Sequence, residues 1–312
     1  MKRQLEAVIE ELRRLKGEEG VRTVSLEPGR LEGWRRVLRR KYGEHSAGSE
    51  SAAPRPKPSE RLPELPVRDD GAAPRKRAKA AAKPASARAP AFSVTPPRVE
   101  LPDGDKHARW EALREQVMGC AVCREHARPG CRVVFGVGDL DADLFFVGEA
   151  PGAEEEKQGE PFVGPAGQLL NRIIGAMGLK REQVYIGNIM NWRPETPNGV
   201  GNRPPTPEEM AFCLPYLRAQ IAVVQPKILV ALGSTAISGL LGPDPKRRMG
   251  KARGTWETFD GIPLMMTYHP SYVLRYASVR VKRMVWEDML KVMERAGYPI
   301  SDKQRQYFSK ES

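Results

Sequence analysis

Four short apolar runs, separated and followed by stretches with helical periodicity, set the architecture from residue 143 onward. Residues 143–147, 184–189, 227–232 and 263–268 read as strands. Residues 107–118, 164–177, 207–224, 234–241 and 279–296 read as helices. Within 164–177, Leu169, Leu170, Ile173 and Ile174 share one side. Pro207 suits a first helical turn, where its missing N–H costs nothing, and Ser234 is placed to cap the helix that follows. Strands alternating with helices predict an α/β fold of three layers, α/β/α, around a central four-stranded parallel sheet. Ligands in such folds sit at the carboxyl ends of the strands.

Ahead of this pattern the text changes. Leu5, Val8, Ile9, Leu12 and Leu15 fall on one helical face, and a second short helix is expected over 31–41. Residues 1–42 are thus read as a short helical segment. Residues 43–105, rich in Ala, Pro, Ser, Lys and Arg, cannot bury enough apolar surface to offset their ordering entropy, and are expected to be a disordered linker. Residues 106–300 form the expected domain and 301–312 a tail. The chain carries a net charge of +12, most of it ahead of residue 108, including a basic cluster at 75–79. A basic balance favours a polyanionic partner, with nucleic acid the default.

No stretch is apolar enough to span a bilayer, and the charged N-terminus lacks the apolar core of a secretory signal. A cytoplasmic location is expected, with no membrane partner. Thiols stay reduced there. The chain has 4 cysteines, Cys120, Cys123, Cys131 and Cys213, and the Cys-x-x-Cys pair reads as metal or redox before disulfide.

The residues that stand out chemically lie at the expected strand ends. The first strand runs into Gly148-Glu149-Ala150-Pro151-Gly152, a sharp turn that presents backbone N–H groups, followed by Glu154, Glu155 and Glu156. Phe162 sits in a Gly/Pro-bounded loop, where an aromatic is either a stacking platform for a base or a plug under the loop. Asn188 ends the second strand and offers a donor and an acceptor. His269 ends the fourth, where an imidazole can donate to a developing oxyanion. Taken singly, each of these also has a purely structural reading.

Taken together, they resemble a known family. From Cys120 to Arg275 the strings GEAPG, GEPFVGPAGQLL, YIGN, RP ahead of NRPPTPEE, CLPYLRAQI, PKILVALG, RGTW and HPSYVLR are similar, in order and separation, to the family 4, iron–sulfur type of uracil-DNA glycosylase. The resemblance implies a DNA-repair hydrolase that flips uracil out of DNA and excises it, leaving an abasic site and acting as a monomer. Phe162 would stack on the base. Asn188 would read its O4 and N3–H, and His269 would donate to O2. The backbone from Gly148 to Ala150 would hold the ring. Glu155 or Glu149 would position water or stabilise the cationic sugar, with Glu155 favoured. Ser271 and Arg275 would meet the DNA backbone, and Tyr272, in a loop after His269, would wedge into the duplex.

One departure concerns the metal. The family carries four cluster cysteines. Here Cys120, Cys123 and Cys213 match three of them, and Trp192 stands at the remaining position. Three readings stay open: Cys131 supplies a substitute ligand to a [4Fe–4S] cluster, three thiolates hold the cluster with another ligand, or the metal is absent and Trp192 fills the space. Zinc is a minor alternative. No His lies between Cys213 and His269, so covalent capture of DNA, as in a related subgroup, is not expected. The rival to excision is a DNA-binding protein of the same fold that recognises damaged or single-stranded DNA without turnover.

Overall fold

The computed structural model describes residue 92 and residues 94–196 and 201–308. The expected helices within 1–42 and the first part of the expected linker lie outside the described residues.

The four apolar runs form the middle of one sheet. They are β2 (Leu144–Gly148), β3 (Tyr185–Asn188), β4 (Ile228–Leu232) and β6 (Ile262–Thr267), adjacent in the order β3-β2-β4-β6 and all parallel. Every residue of β2, β3 and β4 is buried, as expected of parallel strands covered on both faces. Two short antiparallel strands, β1 (Val137–Gly138) beside β3 and β5 (Trp256–Phe259) beside β6, extend the sheet to six. They enlarge the four-stranded expectation. The first has only two residues, and Glu257 and Thr258 of the second are exposed, so neither forms an apolar run.

Side chains alternate between two cores, following the two-residue period of a strand. Phe145, Val147, Leu229, Ala231, Leu264 and Met266 face one core. There they meet Leu113 and Val117 of α1 (Lys106–Gly119), Leu217 and Ile221 of α5 (Pro207–Val224), and Ile237 of α6 (Gly233–Leu241). Leu144, Phe146, Val230 and Met265 face the other. They meet Leu170 and Ile174 of α4 (Pro165–Ala176) and Trp286, Met289 and Val292 of α9 (Val279–Ala296). Burying one such side chain contributes roughly 1.5–3 kcal/mol, so the sheet and its two helical layers hold as a unit.

Short helices complete the chain: α2 (Ala121–His126), α3 (Ala153–Gln158), α7 (Met249–Ala252), α8 (Pro270–Tyr276) and α10 (Asp302–Gln306). Two local expectations are corrected. The residue after β4 that opens α6 is Gly233, at φ +91°, and the helix has no side-chain cap, so Ser234 does not cap it. The segment after His269 is the helix α8, not a loop. Packing also starts ahead of residue 106, since Phe92, Val99 and Leu101 rest on the first core. Tyr307, in the expected tail, packs on Trp286 with ring centroids 5.3 Å apart. Among the described residues no helix is long and apolar enough to cross a membrane.

Strand β2 lies between β3 and β4, so the connections leaving β2 and β3 run to opposite sides. This is a topological switch point, where open α/β sheets form a crevice.

Candidate active site

The crevice is kept open by glycines. Gly148 ends β2, and a Cβ there would overlap Asn188 Oδ1 and lie 2.5 Å from the Phe162 ring. A Cβ on Gly233 would lie 2.9 Å from His269 Cβ. A Cβ on Gly152 would lie 2.6 Å from Glu155 Oε2. Side chains at these positions would displace the groups expected to do chemistry.

Phe162 is buried and held at φ 55°, the left-handed region that a bulky residue rarely adopts. Its loop is clamped from two sides. Glu155 Oε1 accepts hydrogen bonds from the backbone N–H groups of Val163 (3.1 Å) and Gly164 (2.9 Å). Arg181 donates to the carbonyls of Pro161 (2.6 Å) and Phe162 (3.3 Å), to Asn171 Oδ1 (3.0 Å) and to Glu160 (3.1 Å). Strained backbone persists where its surroundings over-determine it, and these contacts do so. The ring centroid lies 5.7 Å from that of His269.

Asn188 is buried at the end of β3, and its Oδ1 has no hydrogen-bond partner among the described residues. Leaving such an acceptor unpaired costs about 1–3 kcal/mol.

His269 follows β6. Its Nδ1 accepts from the backbone N–H of Ser271 at 3.1 Å and lies 2.8 Å from Ser271 Oγ. With Nδ1 accepting, the proton of the neutral ring sits on Nε2. Burial lowers the imidazole pKa to about 4, so the ring is neutral at physiological pH and presents Nε2–H as a donor. Burial raises the Glu149 carboxyl above its ordinary range, and a hydrogen bond with Thr235 partly opposes that.

These groups face one cavity of about 730 Å³. Glu149, Ala150, Glu155, Phe162, Asn188, His269, Ser271 and Arg275 line it. Gly148 lies behind Phe162 and Asn188, off the lining. Tyr272 does not reach the cavity, because it is stacked between Tyr268 and Tyr276 with centroids 4.5 Å from each.

Asn202, Arg203, Pro204 and Leu274 also line the cavity and were not foreseen. The first three are set by ionic contacts. Arg193 pairs with the buried Glu156 at 2.7 Å and donates to Asn202 Oδ1 and the Gly201 carbonyl, each at 2.7 Å. Arg203 forms a two-pronged pair with Glu209 at 2.6 and 2.8 Å. Burial pushes Glu209 up, but that guanidinium, the Thr206 backbone N–H and the charge of His126 together outweigh it, and the carboxyl lies below its usual range. The Arg-Pro pair at 193–194 was the available signal for this wall.

The cysteines form a separate corner. Cys120 caps α2, its sulfur accepting from the N–H of Cys123 at 3.5 Å. The Cys123 thiol is hydrogen-bonded to Cys213, which with burial pushes it well above the usual thiol range. Three thiols thus gather. Cys131 does not join them: its polar neighbours are Glu156, Arg128 and Arg193. Trp192 is fully buried beside the corner, stacked on His126 at 5.2 Å and 18°, with the rings of Phe92 and Phe212 at 6.1 and 6.0 Å. A four-cysteine cluster needs four thiolates around one centre, and indole is a donor only. Among the described residues no group of three or more His, Cys, Asp or Glu is placed to hold a metal ion. The residues present do not fit a four-thiolate [4Fe–4S] cluster, since Trp192 offers no ligand and Cys131 lies with Glu156, Arg128 and Arg193.

The family model of the uracil DNA glycosylase superfamily matches residues 135–290. A type-4 uracil-DNA glycosylase of Thermotoga maritima is 44% identical over 182 residues, 58% of this chain and 91% of the relative. Those of Pyrobaculum aerophilum and Archaeoglobus fulgidus are 36% and 37% identical over 178 and 171 residues. They align with 54% and 53% of this chain, and with 87% and 83% of their own lengths. The family match runs from the first core into α9, and with these relatives it settles the lineage: the chain belongs to the uracil DNA glycosylase superfamily, among the type-4 uracil-DNA glycosylases.

Proposed function

We propose that this chain excises uracil from DNA by hydrolysing the N-glycosidic bond, leaving an abasic site, and that the strand-end cavity is where it does so. The observation that carries the assignment is the unpaired Asn188 Oδ1 beside the Phe162 ring. Uracil presents N3–H as a donor and O4 as an acceptor, which complements the oxygen and nitrogen of one amide. Cytosine presents the opposite pattern at both atoms. A site built to satisfy buried polar groups rejects the mismatched analogue by as much as ~10⁴-fold.

Extruding the base costs a few kcal/mol, and stacking on Phe162 returns ~1–3 kcal/mol. The neutral His269 donates from Nε2 to uracil O2 as negative charge builds on the departing base. The two carboxylates divide the work. Glu155 spends one oxygen on the amides of Val163 and Gly164, so it holds the Phe162 loop. Glu149, its charge disfavoured by burial, faces the cavity and is the carboxylate that positions water or stabilises the cationic sugar. Ser271 and Arg275 meet the DNA backbone. No step runs through a metal.

Release of uracil from an end-labelled oligonucleotide, followed by alkaline cleavage of the abasic site, tests the reading. Wild-type protein is expected to cleave at uracil and not at cytosine. Binding without product would establish the non-catalytic alternative.

A further inference from the structure

Three tyrosines at four-residue spacing run from the end of β6 along α8, and the site chemistry uses none of them. Residues four apart lie on one helical face. Tyr268 and Tyr272 stack with centroids 4.5 Å apart and planes 14° apart, and Tyr272 and Tyr276 at 4.5 Å and 43°. The stack starts one residue before His269 and ends at Tyr276, which is 53% exposed. Among the described residues Tyr276 has no aromatic neighbour other than Tyr272.

The surroundings identify the occupant. Around the helix, the cavity-lining Ser271 and Arg275 separate Leu274 from the tyrosines, while Val273 faces the core. The stack therefore adjoins the mouth of the cavity. Helix α8 holds no acidic residue, and its cavity-lining Arg275 is exposed beside the tyrosines. An aromatic face that adjoins a cation and carries no carboxylate suits a polyanion with π-faces, which is a strand of nucleic acid with unpaired bases. An apolar partner protein would gain nothing from the guanidinium.

We infer that the stack of Tyr268, Tyr272 and Tyr276 is a base-stacking platform for the DNA strand next to the flipped nucleotide, with Tyr276 receiving an unstacked flanking base. This rests on the uracil-excision reading and adds a consequence to it: flanking bases that are free to unstack contribute to affinity. Single-stranded or frayed substrates then bind more tightly than fully paired ones carrying the same uracil.

The test is a double-mutant cycle on the full chain, pairing protein variants with single-stranded uracil oligonucleotides. In one oligonucleotide series the flanking bases are replaced, one position at a time, by abasic spacers. Stacking on one aromatic is worth enough that Tyr276→Ala is expected to weaken binding about tenfold. Tyr276→Phe is expected to preserve it, since the ring and not the hydroxyl makes the contact. For one spacer position the wild type drops to the level of Tyr276→Ala, and Tyr276→Ala is indifferent to that spacer. Additive losses at every position, or unchanged affinity in Tyr276→Ala, would overturn the platform and leave this face to a protein partner. Failure of the wild type to release uracil would instead sink the excision reading, while the binding cycle still reports on the tyrosines.

Discussion

The strand-end cavity and the cysteine corner carry strings of the same family, yet they treat space in opposite ways. In the cavity, Gly148, Gly152 and Gly233 withhold side chains so that Phe162, Asn188, Glu155 and His269 approach one another around an open volume. In the corner, Trp192 brings in the largest side chain available and packs it against His126, Phe92 and Phe212. A catalytic constellation survives when each group keeps its place. A four-thiolate centre needs four sulfurs, and around Trp192 the corner offers aromatic packing in place of one of them. The cavity is thus left open, whereas the corner is filled by aromatic packing.

The largest effect that bears on this contrast belongs to the corner. If Trp192 is a packing residue, Trp192→Ala should destabilise the domain by about 3–5 kcal/mol, measured by denaturant unfolding. Protein purified anaerobically from iron-replete cells should carry no iron by metal analysis and no broad absorbance near 400 nm. Four irons per chain, with unfolding on chelation, would show that the corner is a ligand site after all.

Next comes the cavity. His269→Ala should lower the single-turnover excision rate by ~10²–10³, the usual loss for one oxyanion donor, while unfolding stays close to wild type. Asn188→Ala should bind uracil oligonucleotides less tightly and lose discrimination against cytosine. A near-wild-type rate in His269→Ala would return that residue to a purely structural role as the cap of α8.

How much of this was legible in the sequence differs between the same two regions. The central strands could be read because parallel, doubly covered strands must be continuous apolar runs. Asn188, His269 and the glycine turn could be read because each ends such a run. Helix α3 could not, since its Ala-Glu-Glu-Glu-Lys-Gln text has no apolar period. Helix α8 reads as a loop in the sequence because Pro270 and Ser271 follow His269 directly, which makes Tyr272 look free to insert. The clamp of Arg181 on the Phe162 loop links residues 19 or more apart and leaves no local mark, and neither does the tie from Arg193 to Glu156. In the corner, the Trp192 substitution was visible, but which side chains would surround it depended on Phe92 and Phe212, brought together only by the fold.

A smaller effect is expected from pH. His269, with its pKa lowered to about 4 by burial, stays neutral from pH 8 to pH 5 and should add no inflection to the excision rate there. Glu149, raised by burial, should give an acid limb above the ordinary carboxylate range, and Glu149→Gln should remove that limb along with most of the rate. The two groups act oppositely on stability. The unfolded chain binds the His269 proton more readily than the folded one, so that contribution is present above pH 6.5 and lost as pH falls toward 4. The Glu149 proton is held more tightly in the folded state, so its contribution is lost as pH rises through its raised pKa. A rate profile with no Glu149-dependent limb would move the carboxylate role back to Glu155.

The smallest expected change is also the most direct check on the corner. Cys131 is half-buried beside Glu156 and the guanidiniums of Arg128 and Arg193, away from the other three thiols. Cys131→Ser replaces a weak donor by a stronger one at a site already rich in charge. It should therefore shift stability by no more than ~0.5 kcal/mol, as surface and half-buried changes without a specific role do, and leave uracil release unchanged. Cys123 and Cys213 are fully buried and hydrogen-bonded to each other, so serine at either position should cost more, through burial of a more polar group. A ligand role for Cys131 predicts no such ranking, because removing any one ligand of a shared centre disrupts it as severely as removing another. Equal losses for Cys123→Ser, Cys213→Ser and Cys131→Ser would mean that all three sulfurs answer to one centre, and that the contrast between a corner built for packing and a cavity built for a base has been drawn in the wrong place.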